Sequence, residues 1–126
     1  MELKSLFPRA QELVITTPDG TPTGLKLQLV GQDSKEFRAI AKRLAQRQLD
    51  KTKTTVDEME SDNAAMAASC IVGWPESLTM EGLPFPYSPT NAVLLMMNPQ
   101  VNYIREQVEA FVSERVNFFR VAATPT

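Results

Sequence analysis

The alternation of apolar and polar residues near the amino terminus predicts a β-hairpin. In the predicted strand from Leu25 to Val30, the residues up to Leu29 alternate between apolar and polar, so that one face of the strand would be buried. The segment 12–17, with the sequence ELVITT, is also strand-like, and residues 18–24 between the two segments are mostly turn formers. This pattern indicates two antiparallel strands joined by a long loop within residues 1–31.

The next apolar pattern has helical spacing. Apolar residues recur every three or four positions from Phe37 onward, which predicts an amphipathic helix from Ser34 to about Leu49. Asp33 stands three residues before Glu36, as in a capping box, and we expect Asp33 to be the N-cap. The opposite face of this helix is basic.

A second capping-box pattern, formed by Thr55 and Glu58, predicts the start of another helix. The acidic cluster at 57–62 favours the positive end of that helix. We expect the helix to run to about Val72 and to stop at Gly73, a C′ glycine. The cluster lacks the turn glycine and the distal glutamate of a calcium loop, so it indicates a helix start and not a metal site.

The carboxy-terminal third combines an irregular segment with two helices. Prolines block regular structure in residues 76–87. Ser88 and the proline after it predict the start of a short helix that ends at Met97, and Asn98 with its following proline opens the longest helix, to about Phe119. The apolar stripe of this last helix consists of Val101, Ile104, Val108, Phe111, Arg115 and Phe118, widened by Val112 and Phe119.

These elements predict a mainly α fold of the α+β class, with an N-terminal β-hairpin followed by about four helices in a small bundle. A chain of 126 residues matches the usual size of one domain. Within that domain we expect the hairpin in residues 1–31, the helical portion in residues 32–120 and a flexible tail in residues 121–126.

The composition removes most catalytic chemistry. The chain has no histidine, which is the usual general base and the commonest metal ligand, and its one cysteine cannot form an internal disulfide. Cys70 lies among small apolar residues, so we expect a buried, inert thiol. These observations predict a protein that is not an enzyme and has no catalytic residue, cofactor or metal. With no apolar run near 20 residues and no signal-like start, we expect a soluble intracellular protein with no membrane contact.

Charge is distributed unevenly although the net charge is only −2. Seven basic and two acidic residues between Lys35 and Lys53 give that segment +5, which leaves −7 for the rest of the chain. A solvated helix face and an acidic protein partner both explain this pattern, whereas the absence of interleaved aromatic residues disfavours nucleic acid. For an acidic partner, the candidate residues are Arg38, Lys42, Arg43 and Arg47.

A small set of residues in the carboxy-terminal third forms the candidate partner or oligomer interface. Phe118 and Phe119 would point about 100° apart on a helix, so one core cannot easily take both. Burial of the helix end in a groove of its own fold and contact with a partner both remain open. Arg115 within the stripe would either need a carboxylate partner or place its charge at the stripe's edge. The candidate set is Trp74, Phe111, Val112, Arg115, Phe118 and Phe119.

The order of motifs in residues 31–119 resembles the tail assembly chaperones of long-tailed, siphophage-type bacteriophages. A helix ends in V-G-W at residue 74, and a turn of the form G-x-P-x-x-Y-S occupies residues 82–88. A short apolar helix at 91–97 and a terminal helix at 99–119, ending in R-x-N-F-F, complete the resemblance.

The resemblance implies a non-enzymatic protein that binds the tape measure protein, keeps it soluble and helps recruit tail tube subunits during tail assembly. It also implies self-association, action in the host cell cytoplasm and departure before the virion is complete. Proteins of this family are commonly made in two lengths by a ribosomal frameshift, and the extended form would contact the tail tube protein. The alternatives are a head–tail connector or tail completion protein of the virion, and a small regulatory or nucleic-acid-binding module that uses the basic helix.

Overall fold

An N-terminal β-hairpin leads into four α-helices in the computed structural model of the chain, which describes residues 1–50 and 53–119. The predicted mixed α+β class is therefore confirmed, and the expected tail at 121–126 lies outside the described residues. The strands are β1 (Gln11–Thr16), β2 (Pro22–Leu29), β3 (Ile71–Gly73), β4 (Thr79–Met80) and β5 (Leu83–Pro84). The helices are α1 (Lys35–Leu49), α2 (Val56–Ser69), α3 (Pro89–Met97) and α4 (Asn102–Ser113), with 3-10 turns at Leu3–Leu6, Pro99–Val101 and Arg115–Phe118.

The main sheet has three antiparallel strands in the order β1-β2-β3, so the hairpin acquires a third strand from the helical portion. The predicted helix end at Val72 is wrong. The helix stops at Ser69 with Cys70 as its C-cap, and Gly73 pairs with Gln28 of β2 instead of terminating a helix. A backbone hydrogen bond of 2.8 Å from Val30 to the carbonyl oxygen of Cys70 fixes this junction. Pairing with a distant strand therefore overrides the local glycine signal.

Three of the four described α-helices start at a side-chain cap. The predicted start of the last helix at Asn98 and Pro99 is wrong, because Asn98 caps the 3-10 turn Pro99–Val101 and α4 begins at Asn102 without a side-chain cap. The hydroxyls of Thr55 and Ser88 accept hydrogen bonds from backbone N–H groups three residues later, which confirms both predicted N-caps. At α1 the cap is Ser34 and not Asp33, because the Ser34 hydroxyl accepts from the backbone N–H of Phe37 at 3.2 Å. Asp33 is left free to interact with another element.

The carboxy-terminal helix is shorter than predicted. Helix α4 ends at Ser113, so α1 with 15 residues, and not the last helix, is the longest of the described helices. The Asn117 side-chain amide donates to the backbone carbonyl of Phe111 at 2.9 Å and so caps the helix end. After an extended residue at Glu114, the chain turns back as the 3-10 turn 115–118.

One hydrophobic core joins the sheet to the helices. Ile15, Leu27 and Leu29 of the hairpin are fully buried against residues of α2, α3 and α4. Gln107 of α4 also forms hydrogen bonds with the backbone of the edge strand β1. Its side-chain oxygen accepts from the backbone N–H of Thr16 at 2.9 Å, and its amide donates to the carbonyl oxygen of Thr16 at 2.6 Å. The hairpin is thus held by both apolar packing and polar contacts.

Candidate protein-binding surfaces

Trp74 anchors the proline-rich segment that follows β3. Its indole Nε1–H donates to the carbonyl oxygen of Phe85 at 2.8 Å, and its ring stacks on that of Phe85 with centroids 5.6 Å apart. Tyr87 meets the indole edge-on at 5.2 Å and donates its hydroxyl to the carbonyl oxygen of Ile71 at 2.9 Å. Three aromatic rings therefore fix the path of residues 75–87, which the sequence alone left irregular.

Within this segment lies a hairpin that the sequence analysis missed. Strands β4 and β5 pair antiparallel, with Met80 opposite Leu83. Glu81 (φ 53°) and Gly82 (φ 82°) between them both adopt left-handed backbone conformations, as the two central residues of a type I′ turn do. A glycine at the second position of a two-residue connection was the available signal, and the flanking prolines obscured it.

Most of the candidate interface set lies inside the fold. Trp74, Val112 and Phe118 are buried, and Phe111 is half-buried with its ring edge-on to Phe118 at 5.5 Å. Phe119 keeps 46% of its surface exposed. The two phenylalanines thus separate, one into the core and one to the surface, because the chain leaves the α-helix before reaching them.

Arg115 is not part of the apolar stripe of α4, because the helix ends at Ser113 and Arg115 lies in the 3-10 turn that follows. Its side chain is 73% exposed and forms an ion pair with Asp33, with Nε and Oδ2 2.8 Å apart. Asp33, which was predicted to cap α1, therefore holds the carboxy-terminal 3-10 turn against the start of that helix. Exposure keeps the energetic contribution of such a pair small.

The clearest exposed apolar surface is formed by Met80, Leu83, Leu94 and Met97, which we call the hairpin–α3 patch. Each of these side chains is about half exposed or more, with Leu83 at 69%. Met80 and Leu83 are cross-strand neighbours, and Leu94 and Met97 are three residues apart on one face of α3. Sequence reasoning missed this surface because apolar character does not distinguish its exposed side chains from a buried neighbour such as Met96.

A groove of about 190 Å³ adjoins the hairpin–α3 patch. Met80 and Leu94 belong to its lining, and most of the other lining side chains are apolar, including Leu25, Leu78 and Val101. An apolar groove beside flexible methionine and leucine side chains can accept apolar side chains of different shapes. The arrangement is therefore chemically suited to binding an apolar protein segment.

The basic face of α1 is also exposed, but its residues differ in their contacts. Arg47 donates from Nη2 to Oδ1 of Asp62 on α2, a buried carboxylate, and this hydrogen bond raises the pKa of Arg47. Arg38, Lys42 and Arg43 have no ion pair among the residues that the structure describes. Arg47 therefore joins α1 to α2, and the other three cations are available to a partner.

Arg115 adds a cation to this face that the sequence did not place there. Together with Arg38 and Lys42 it lines an open cleft of about 610 Å³ above Phe37. This proximity depends on the 3-10 turn 115–118 folding back to α1, so no local sequence signal could have shown it. Because Asp33 lines the same cleft and pairs with Arg115, the cations open to an acidic partner there are Arg38 and Lys42.

Potential metal ligands do not cluster in the described residues. No group of three or more potential metal ligands occurs there, and no helix in that part of the chain is both long and apolar enough to cross a membrane. The Cys70 thiol is buried, and burial raises its pKa from 9.0 to about 11. A thiol that stays protonated is a poor nucleophile.

The raised pKa of Cys70 predicts a loss of stability at alkaline pH. In the unfolded chain the thiol ionises above about pH 9, whereas the folded chain keeps it protonated to about pH 11. Its stabilising contribution is therefore complete below pH 9 and lost as pH rises toward 11. Relative to Cys70→Ala, we expect the wild-type free energy of unfolding to fall by roughly 2 kcal/mol over this range, measured by urea unfolding. Parallel pH profiles for the two proteins would contradict this.

Comparison of the chain with models of known protein families, with curated proteins and with solved structures gives no match.

Proposed function

We propose that this protein is a tail assembly chaperone of a long-tailed bacteriophage and binds the tape measure protein. The observation that carries the proposal is the hairpin–α3 patch, an exposed apolar surface with its own groove. The patch belongs to residues 80–97, within the part of the chain that resembles tail assembly chaperones.

The chemistry of the patch suits a long helical client. A tape measure protein presents apolar stripes of helices before it is enclosed in a tail, and such stripes associate with one another in water. Methionine and leucine side chains adapt to varied apolar surfaces, so one patch can cover many different stretches of the same client. Many weak contacts along a client multiply when several chaperone copies bind side by side.

The remaining surfaces have roles in the same proposal. The basic surface of Arg38 and Lys42 would bind an acidic region of the client or of another assembly protein. An extended, frameshifted form would contact the tail tube protein. The chaperone would act in the host cytoplasm, associate with itself and leave before the virion is complete.

Co-expression with the tape measure protein of the same phage tests the proposal. We expect the wild-type chain to form a soluble complex with this client, and Met80→Glu/Leu83→Glu to weaken it by roughly tenfold or more, the effect of losing a central contact. Soluble client, measured after centrifugation and affinity capture, is the readout. Leu49→Glu/Val56→Glu is the matched control, because it places the same two charges on exposed apolar side chains far from the patch in sequence.

Two results would overturn this function. One is a client that stays insoluble with the wild-type chain and gives no complex. The other is mass spectrometry that finds the chain in purified virions in a ring-like copy number, since a connector stays in the particle and a chaperone does not.

A further inference from the structure

Residues 1–7, which we call the leading segment, carry apolar side chains that the fold does not cover. Leu3, Leu6 and Phe7 are each more than half exposed, although a 3-10 turn orders the segment. The segment is attached where the backbone N–H of Arg9 donates to the carbonyl oxygen of Phe118 at 2.7 Å. Three large apolar side chains close together in sequence favour a partner surface.

An uncovered cleft of about 400 Å³ lies between α1, α2 and α3, and we call it the three-helix cleft. Small residues of α2, including Ala65 and Ala68, line it, together with Ile40 of α1 and Val93 of α3. Because Ala side chains are short, the backbone of a bound segment can approach α2 closely. The cleft is therefore open to an extended or turn-like segment with large apolar side chains.

Two charges of opposite sign border the three-helix cleft. Glu36 and Arg43 are seven residues apart on α1, which corresponds to about 10.5 Å along a helix. Glu36 is half-buried, and neither residue has an ion-pair partner among the described residues. A half-buried carboxylate beside apolar walls favours a ligand that brings a positive charge.

We infer that the three-helix cleft binds the leading segment of a second copy of this chain. The charges of the segment match those of the cleft, because Lys4 can pair with Glu36 while Glu2 pairs with Arg43. Neither Lys4 nor Glu2 has an ion-pair partner in the described part of the chain. Leu6 and Phe7, next to these charges in sequence, then enter the apolar cleft.

Exchange of the segments between two copies gives a closed arrangement. Each copy donates one leading segment and accepts one, so the two contacts are related by a two-fold axis and no further copy is needed. This inference rests on the self-association included in the proposed function. The test of this inference contains no tape measure protein. A negative result would therefore leave the co-expression result for the proposed function unchanged.

Charge reversal in separate chains tests the exchange. We expect the wild-type chain to dimerise in sedimentation equilibrium below about 0.3 mM, the range of a weak but specific contact. Lys4→Glu and Glu36→Lys should each weaken the dimer by roughly tenfold, because each places like charges together at two symmetric contacts. An equimolar mixture of the two variants should restore association, since both contacts in the mixed dimer then join opposite charges. Lys26→Glu, on the exposed side of β2, is the control and should change nothing.

A second variant tests the apolar part. Leu6→Asp/Phe7→Asp alters side chains that are already exposed, so the fold should be retained by circular dichroism while the dimer is lost. A monomeric wild-type chain up to about 0.3 mM would overturn the inference. So would a mixture of the charge variants that stays monomeric, which would exclude pairing of Lys4 with Glu36 between copies.

Discussion

Replacing Trp74 with alanine is expected to lower the free energy of unfolding by about 4 kcal/mol, the middle of the range for buried aromatic residues. The indole is buried and contacts two further aromatic rings, so its loss leaves a cavity beside Phe85 and Tyr87. It also leaves the carbonyl of Phe85 without its donor. Because Trp74 is the sole tryptophan, unfolding of the variant should be followed by circular dichroism in urea.

Trp74→Phe separates packing from hydrogen bonding. Phenylalanine retains an aromatic ring for Phe85 and Tyr87 but has no N–H, so we expect a smaller loss of about 2 kcal/mol. Leu94→Ala shortens an exposed side chain and should have little effect. If Trp74→Ala unfolded at the wild-type urea midpoint, the aromatic cluster would not stabilise the fold.

Gly31→Ala is expected to cost about 2–3 kcal/mol through steric overlap. A Cβ atom at this position would lie 2.6 Å from Cδ2 and 2.9 Å from Cε2 of the buried Phe118 ring. The backbone there has little room to move, because the carbonyl oxygen of Gly31 accepts from the Ser34 backbone N–H at 3.1 Å and from its hydroxyl at 2.6 Å. The measurement is the free energy of unfolding in urea.

Two comparisons test whether overlap with the Phe118 ring causes the cost of Gly31→Ala. Gly73→Ala places a Cβ 3.9 Å from the nearest side-chain atom, Cβ of Gln28, and should cost far less. In the background of Phe118→Leu, which removes the ring, the cost of Gly31→Ala should shrink, and a double-mutant cycle measures this coupling. Equal costs in both backgrounds would show that the ring does not limit position 31.

Helix starts could be predicted because the interactions that set them are local. Thr55 and Ser88 each cap a backbone N–H group three residues later, so the few residues around the cap carry the needed information. There are two exceptions: α4, which begins at Asn102 and not at Pro99, and the choice between Asp33 and Ser34. Asp33 binds Arg115, 82 positions later in the chain, and a sequence pattern cannot show that competition.

Helix ends could not be predicted for the opposite reason. Helix α2 ends at Ser69, and the next residues, Ile71–Gly73, form β3. This strand pairs with β2, whose residues lie more than 40 positions earlier. The apolar stripe of α4 continues in sequence through Phe118, but the helix stops at Ser113 and the ring of Phe118 reaches the core by way of a 3-10 turn. In both places contacts with distant residues set the helix end, although the local sequence pattern favours a longer helix.

The candidate surfaces were only partly visible in the sequence. The cations on α1 follow from helical spacing, and their exposure was expected. The hairpin–α3 patch depends instead on where Trp74 holds the segment after β3, which places Met80 and Leu83 on the surface. Hydrophobicity alone cannot distinguish Met96, which is buried, from Met97, which is half exposed.

The hydrogen bonds of Gln107 and Tyr87 have a consequence for aggregation. Strands β1 and β3 are the two edges of the main sheet, and an unprotected edge recruits strands from other molecules. Gln107 occupies both backbone groups of Thr16 in β1, and the Tyr87 hydroxyl occupies the carbonyl oxygen of Ile71 in β3. Each edge of the main sheet therefore offers fewer free backbone groups to a strand from another molecule.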